Sequence, residues 1–179
     1  VNERISFDGK VINPLDEKQV VDLIEELKKK QVESIAVSFL HSYKNPEHEN
    51  RAAQIIKDHW PEVSISCSSE VLPQIGEYER TNTTIVNAYI RRVMGHYLSL
   101  LEKWLTSRGF KETLFLMNSN GGIIPAQTAK KFPVRCIESG PVGGIMAARF
   151  YAKLHQYSDV LAYDMGGTTA KLCAITGGQ

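Results

Sequence analysis

The residues best suited to handle a phosphate lie near the end of the chain, in "YDMGGTTAK", Tyr163 to Lys171. A carboxylate, Asp164, is followed by Gly166 and Gly167, then by the hydroxyls of Thr168 and Thr169. Glycines let backbone N–H groups approach an anion with no Cβ in the way. A carboxylate at a strand end can hold Mg2+ through water, because that ion prefers a few hard oxygens and keeps much of its hydration. The spacing leaves two readings open: a phosphate loop with Asp164 beside a metal ion, or a hairpin turn that needs Gly-Gly. It is not a Walker loop, since G-x-x-x-x-G-K-[ST] occurs nowhere.

Three further segments could present groups to a ligand. In "ESGPVGGIMAA", a strand end runs into Ser139 and Gly140, and Pro141 opens a helix whose free N–H groups attract anions. Gly143 and Gly144 follow; Gly140, Gly144 and Ala148 fall four apart, which fits either ligand contact or tight packing of the helix on a sheet. "MNSNGGIIP" carries the strong turn signal Asn120-Gly121, with amides at Asn118 and Asn120 that could also face a ligand. "EVLPQIGEYERTNTT" clusters Glu77, Glu79 and Arg80 at a helix start, where charges are either solvated, paired locally or in contact with substrate. His41 and His48 lie seven apart with no cysteine near, a poor zinc pattern. No G-x-S-x-G occurs, and no catalytic residue can be assigned.

These segments need elements to position them. "NPLDEKQVVDLIEELKKK" reads as a helix capped by Asn13, with Pro14 at its first position. "VESIAVSFL" reads as a buried strand, "NPEHENRAAQIIKDHW" as a helix stopped by Pro61, and "EVSISCS" as a strand. A polar loop over Ser69 to Thr81 leads into a long helix to Arg108. Its expected buried stripe is Val86, Tyr89, Val93, Tyr97, Leu100, Leu101, Trp104 and Leu105. Strands are expected at "TLFLMN", "VRCIE" and "DVLAYD", with helices over Pro125–Lys131 and Pro141–His155 between them. "AKLCAIT" should pair with "DVLAYD" as a hairpin around Met165 to Thr169. Alternating strands and helices predict an α/β fold with a largely parallel or mixed sheet, and the polar loop predicts two parts, residues 1–75 and 76–179.

Composition narrows the function classes. Basic and acidic side chains number 21 and 20, a balance that gives no electrostatic ground for DNA, RNA or an anionic membrane as partner. No apolar run approaches the roughly 20 residues that span a bilayer. Cys67, Cys136 and Cys173 are isolated and apolar-flanked, and read as reduced core residues of a cytoplasmic protein. Val1 in place of an initiator Met, and the turn-like Thr176–Gln179 end, predict an internal piece of a longer protein.

Taken in order, "AVSFLHSYKNPEHE", "SSEVLPQIGEYERTNTTIVNAY", "LMNSNGG", "IESGPVGG" and "YDMGGTTAK" resemble the hydantoinase A/5-oxoprolinase family, most of all its N-methylhydantoinase A branch. The resemblance spans nearly the whole chain and implies a fragment of an actin/sugar kinase/acetate kinase-like (RNase H-like) ATPase with two α/β lobes. Residues 1–75 would end the N-terminal lobe. Residues 76–179 would hold a connecting helix and the start of the second lobe. Asp164, Gly166, Gly167, Thr168 and Thr169 would match the second phosphate loop, and Ser139, Gly140, Gly143 and Gly144 a glycine-rich helix start beside it. Glu77, Arg80, Asn120 and Gly121 match family signatures without an assigned role.

The resemblance implies ATP and Mg2+ as cofactors, with Asp164 holding Mg2+ through water. It also implies a cyclic amide substrate and a second subunit of hydantoinase B type. In the implied mechanism the γ-phosphoryl of ATP passes to the amide oxygen of the ring, and water attacks the activated carbon. Lys171 stands where the oxoprolinase branch tends to carry an acid, which favours a hydantoin-type substrate. Two alternatives stay open: a ketone carboxylase subunit of the same family, or a non-catalytic assembly module.

Overall fold

A computed structural model describes residues Val1–Gly178. Strands and helices alternate along the chain, which divides into two compact units, Val1–Tyr97 and a second from Leu98 onward. In place of one continuous sheet, the described residues form four two-stranded ladders, one parallel and three antiparallel.

The first unit opens with β1 (Arg4–Ile5) and β2 (Val11–Asn13), an antiparallel pair, and continues into α1 (Glu17–Lys29). Asn13 pairs with Arg4 in that ladder, so it does not cap α1 as the sequence led us to expect. The cap is Asp16, whose Oδ1 accepts the Gln19 N–H at 3.1 Å. A β-α-β unit follows: β3 (Ser34–Val37), α2 (Glu47–His59) and β4 (Ser64–Cys67), with Ser34 to Val37 in parallel register with Ser64 to Cys67. Val20 and Ile24 of α1, Ala52, Ile55 and Ile56 of α2, and Val37, Val63 and Cys67 form its core. Full burial of each larger aliphatic contributes about 1.5–3 kcal/mol.

The stretch expected to be loop up to Thr81 is shorter. It contains a helical turn, α3 (Ser68–Val71), and the long α4 (Glu77–Ser107) starts as soon as Gly76 turns the chain with φ of 111°. Helix α4 also corrects the expected buried stripe. Val86, Tyr89, Val93, Tyr97, Leu100 and Trp104 are exposed, Tyr89 at 81%. The opposite face, with Arg80, Thr84, Asn87 and Ala88, is the buried one. Those polar side chains tolerate burial because each is bonded. The Thr84 hydroxyl donates to Arg80 O at 2.7 Å, and Asn87 Nδ2 donates to Ser66 Oγ at 3.0 Å. Periodicity identified an amphipathic helix correctly but could not say which face the rest of the unit covers.

The second unit contains the antiparallel pair β5 (Phe115–Met117) and β6 (Ile123–Pro125), then α5 (Ala126–Lys131) and a 3-10 turn over Pro133–Cys136. That turn replaces the strand expected at "VRCIE". Pro133 lacks an N–H for a ladder. Ser119 also takes the nearby carbonyls: its N–H and Oγ both donate to Arg135 O, and its Oγ lies 2.6 Å from Ile137 O. Helix α6 (Ser139–Leu154) follows, then the antiparallel hairpin β7 (Val160–Met165) and β8 (Ala170–Ile175), which matches the hairpin expected from the sequence.

Candidate functional site

Strand β7 carries Asp164 one residue before its end, and Gly166 to Thr169 make the turn, closed by Gly166 N–H to Thr169 O at 3.0 Å. Asp164 faces Lys171 directly across the ladder. Asp164 is exposed, and among the described residues its carboxylate has neither a hydrogen bond nor an ion pair. Lys171 is half-buried, and its ammonium is paired with the Glu138 carboxylate instead.

Helix α6 meets this hairpin. Gly140, Gly144 and Ala148, along one side of α6, line an open cleft of about 350 Å3 together with Asp164, Lys171 and Cys173. Glu138, immediately before the helix, has φ of 59°, and no side chain caps the helix start. The first N–H groups of any helix lack intrahelical partners and carry partial positive charge. The cleft wall therefore offers one carboxylate, one ammonium and a smooth glycine surface.

The glycines separate into two kinds. Gly121 is required by the chain itself: its φ is 90°, and a Cβ there would stand 3.1 Å from Met146 Sδ. With Asn120 it closes the β5–β6 turn, where Gly121 N–H donates to Asn118 O at 3.0 Å. Gly143 rests near Met117. Gly140, Gly144, Gly166 and Gly167 have no such reason: none has a left-handed backbone, and a Cβ on any of them would meet nothing within 4 Å among the described residues. Helix α6 does pack against the β7–β8 hairpin, but among the described residues that packing does not itself require glycine at 140 or 144.

Of the candidate site residues, the cleft gathers Gly140, Gly144 and Asp164. Gly166, Gly167, Thr168 and Thr169 sit at the hairpin tip beyond it, and Ser139 and Gly143 are on α6 outside its lining. Glu77 and Arg80 lie in the other unit. Glu77 is exposed at the α4 start. Arg80 is buried, donating from Nε to Ser68 Oγ (3.1 Å), from Nη1 to Gln74 O (3.2 Å) and from Nη2 to Phe39 O (2.9 Å). Ser68 Oγ donates to the buried Glu49 Oε1 at 2.6 Å, and Glu49 also accepts the Phe39 and Ser69 N–H groups. Sequence reading missed Glu49 and gave no site role to Lys171 or Glu138. Given the expected hairpin, Lys171 could have been placed, because it and Asp164 stand equally far from the turn.

The donor set can be weighed against a metal ion. Among the described residues no three His, Cys, Asp or Glu side chains come together to cage one. A single free carboxylate in an open cleft suits an ion that keeps its waters and is completed by phosphate oxygens, as Mg2+ does.

The architecture is that of known ATP-dependent enzymes. A nucleotide-free acetone carboxylase, whose structure is described as part of the mechanism of ATP-dependent acetone carboxylation, matches 99% of this chain with a TM-score of 0.88 at 32% identity. The ATP-dependent caprolactamase of Pseudomonas jessenii matches 97% with a TM-score of 0.87 at 35% identity. In sequence, this chain is 35% identical to the caprolactamase alpha subunit over 100% of this chain, and 42% identical to an uncharacterized protein of Methanocaldococcus jannaschii over 98% of this chain. The hydantoinase/oxoprolinase family model matches residues 80–179, and the hydantoinase/oxoprolinase N-terminal region matches residues 1–60. The chain belongs to the hydantoinase/oxoprolinase family. It spans about a quarter of the length of these relatives.

Proposed function

We propose that this chain contributes a phosphate-binding part of the ATP site of an ATP-dependent enzyme that opens cyclic amides. The carrying observation is the meeting of Asp164 with Gly140 and Gly144 at one cleft, beside a Gly166–Gly167 tip whose missing side chains answer to no contact among the described residues. Asp164 would hold Mg2+ through its waters, and that ion would neutralise charge on the phosphates. The N–H groups at the hairpin tip and at the α6 start would orient phosphate oxygens, and the bare glycine surface would let the backbone approach them. The division into residues 1–75 and 76–179, as the end of one lobe and the start of the next, is part of this reading.

A hydantoin-type ring is the substrate proposed, on the strength of Lys171 and the ordered motifs. The proposal includes a second subunit, since the caprolactamase relative is named as a subunit, and a cytoplasmic setting. A ketone carboxylase is the second reading, carried by the acetone carboxylase structure, which matches as well as the caprolactamase does. The assembled enzyme, supplied with ATP and Mg2+, is assayed with hydantoins and lactams and, separately, with acetone and bicarbonate. Ring opening coupled to ATP consumption supports the first reading, and carboxylation without ring opening replaces it with the second.

A further inference from the structure

Lys171 is the one cation among the residues that line the cleft, and Asp164 is the one carboxylate. The two stand opposite each other across the ladder, yet the Lys171 ammonium is held by Glu138, 33 residues earlier in the chain. The Glu138 side chain is 66% exposed and that of Lys171 40%. An exposed pair of this kind holds weakly, because water screens it and two long side chains must be fixed. With Glu138 paired to Lys171, the one ammonium of the cleft lining is already neutralised while Asp164 stays charged, an unfavourable field for a bare polyanion. With Glu138 swung away, Lys171 offers three N–H donors to the same space that Asp164 faces.

We propose that Lys171 is a phosphate-binding residue of the cleft and that Glu138 is its resident counter-anion, displaced when a polyphosphate enters. This deepens the phosphate-site reading above and rests on it. A carboxylate with one charge yields to a phosphate chain with several, since ammonium–phosphate hydrogen bonds are charge-assisted at both ends. Glu138 thus tunes affinity: it keeps Lys171 aimed at the α6 start and competes with each incoming anion. Displacement involves no covalent step.

The test is calorimetric titration of the chain with inorganic triphosphate in the presence of Mg2+. Glu138→Gln keeps the shape but removes the competing charge, and should tighten binding about threefold to tenfold. Lys171→Met should weaken it about tenfold, and the double variant should bind like Lys171→Met alone. The ε-methylene NMR signals of Lys171 should move on triphosphate addition to the parent chain, and should already be displaced in Glu138→Gln. If the parent binds triphosphate but Glu138→Gln binds no tighter, the counter-anion role is wrong and the phosphate reading stands. If neither form binds triphosphate, the phosphate reading fails and takes this proposal with it.

Discussion

Asp164 and Lys171 are direct partners in the β7–β8 register and do not form an ion pair. Glu138 has the ammonium, and among the described residues the Asp164 carboxylate has no ion-pair or hydrogen-bond partner. Asp164→Asn should therefore leave the unfolding free energy from urea titration unchanged, within about 0.5 kcal/mol. A larger loss would mean that Asp164 serves the fold.

The cleft and tip glycines allow a sharper separation. Gly166→Ala and Gly167→Ala place a methyl in open space on a backbone that any residue can adopt. Each should be neutral or stabilising by about 0.4–1 kcal/mol, through the unfolded chain, while weakening triphosphate binding. Gly121→Ala, with positive φ and Met146 Sδ at 3.1 Å, should instead be destabilising by more than about 1 kcal/mol. Thermal unfolding of the three variants side by side decides this.

How far this was legible in the sequence depends on the element. The β7–β8 hairpin and the β3-α2-β4 unit could be read because apolar runs and turn residues state them locally. The 3-10 turn at Pro133–Cys136 could not, since it depends on Ser119, sixteen residues away. The buried face of α4 could not either. It is polar, held by bonds to Ser66 and Ser68 in other elements, while the apolar stripe faces out. At the candidate site the chemistry of Asp164 and the glycines was visible in their types. The Lys171–Glu138 pair was not, because it requires α6 to lie against the hairpin.

Helix α4 provides a direct test of that inversion. Asn87→Ala leaves the buried Ser66 hydroxyl without this donor and should cost about 1–3 kcal/mol. Tyr89→Ser, on the face expected to be core, should change stability by about 0.5 kcal/mol or less. Denaturant midpoints in the reverse order would overturn the assignment.

Arg80 and Glu49 are buried charges joined through Ser68 Oγ. Arg80→Met leaves the Glu49 carboxylate buried without the nearby cation and should cost about 3 kcal/mol. Glu49→Gln should cost less when made on top of Arg80→Met than when made alone. Equal costs in both backgrounds, in a double-mutant cycle, would show that the two charges are independent.

Asp159 fastens the open end of the β7–β8 hairpin, accepting Gly177 N–H at 3.0 Å. The Ser158 hydroxyl first, and then that N–H, hold its carboxyl below the ordinary aspartate value. The folded pKa is depressed, so the clamp is fully present above the unfolded value of about 3.9 and is lost as pH falls through the lower folded value. The protection of the Gly177 amide, its exchange rate relative to the intrinsic rate at each pH, should hold at pH 5 and fall only below about pH 4, and Asp159→Asn should remove that pH dependence.

On the proposed function, the α6 start and the Asp164 hairpin take metal-complexed phosphates. This is tested most directly by two-dimensional amide NMR of the chain titrated with Mg2+ and ATP. Saturable shifts centred on Gly140, Gly144, Gly166 and Gly167 are expected, dependent on Mg2+ and absent in Asp164→Asn. Shifts confined to other residues, or equal shifts in Asp164→Asn, would contradict it.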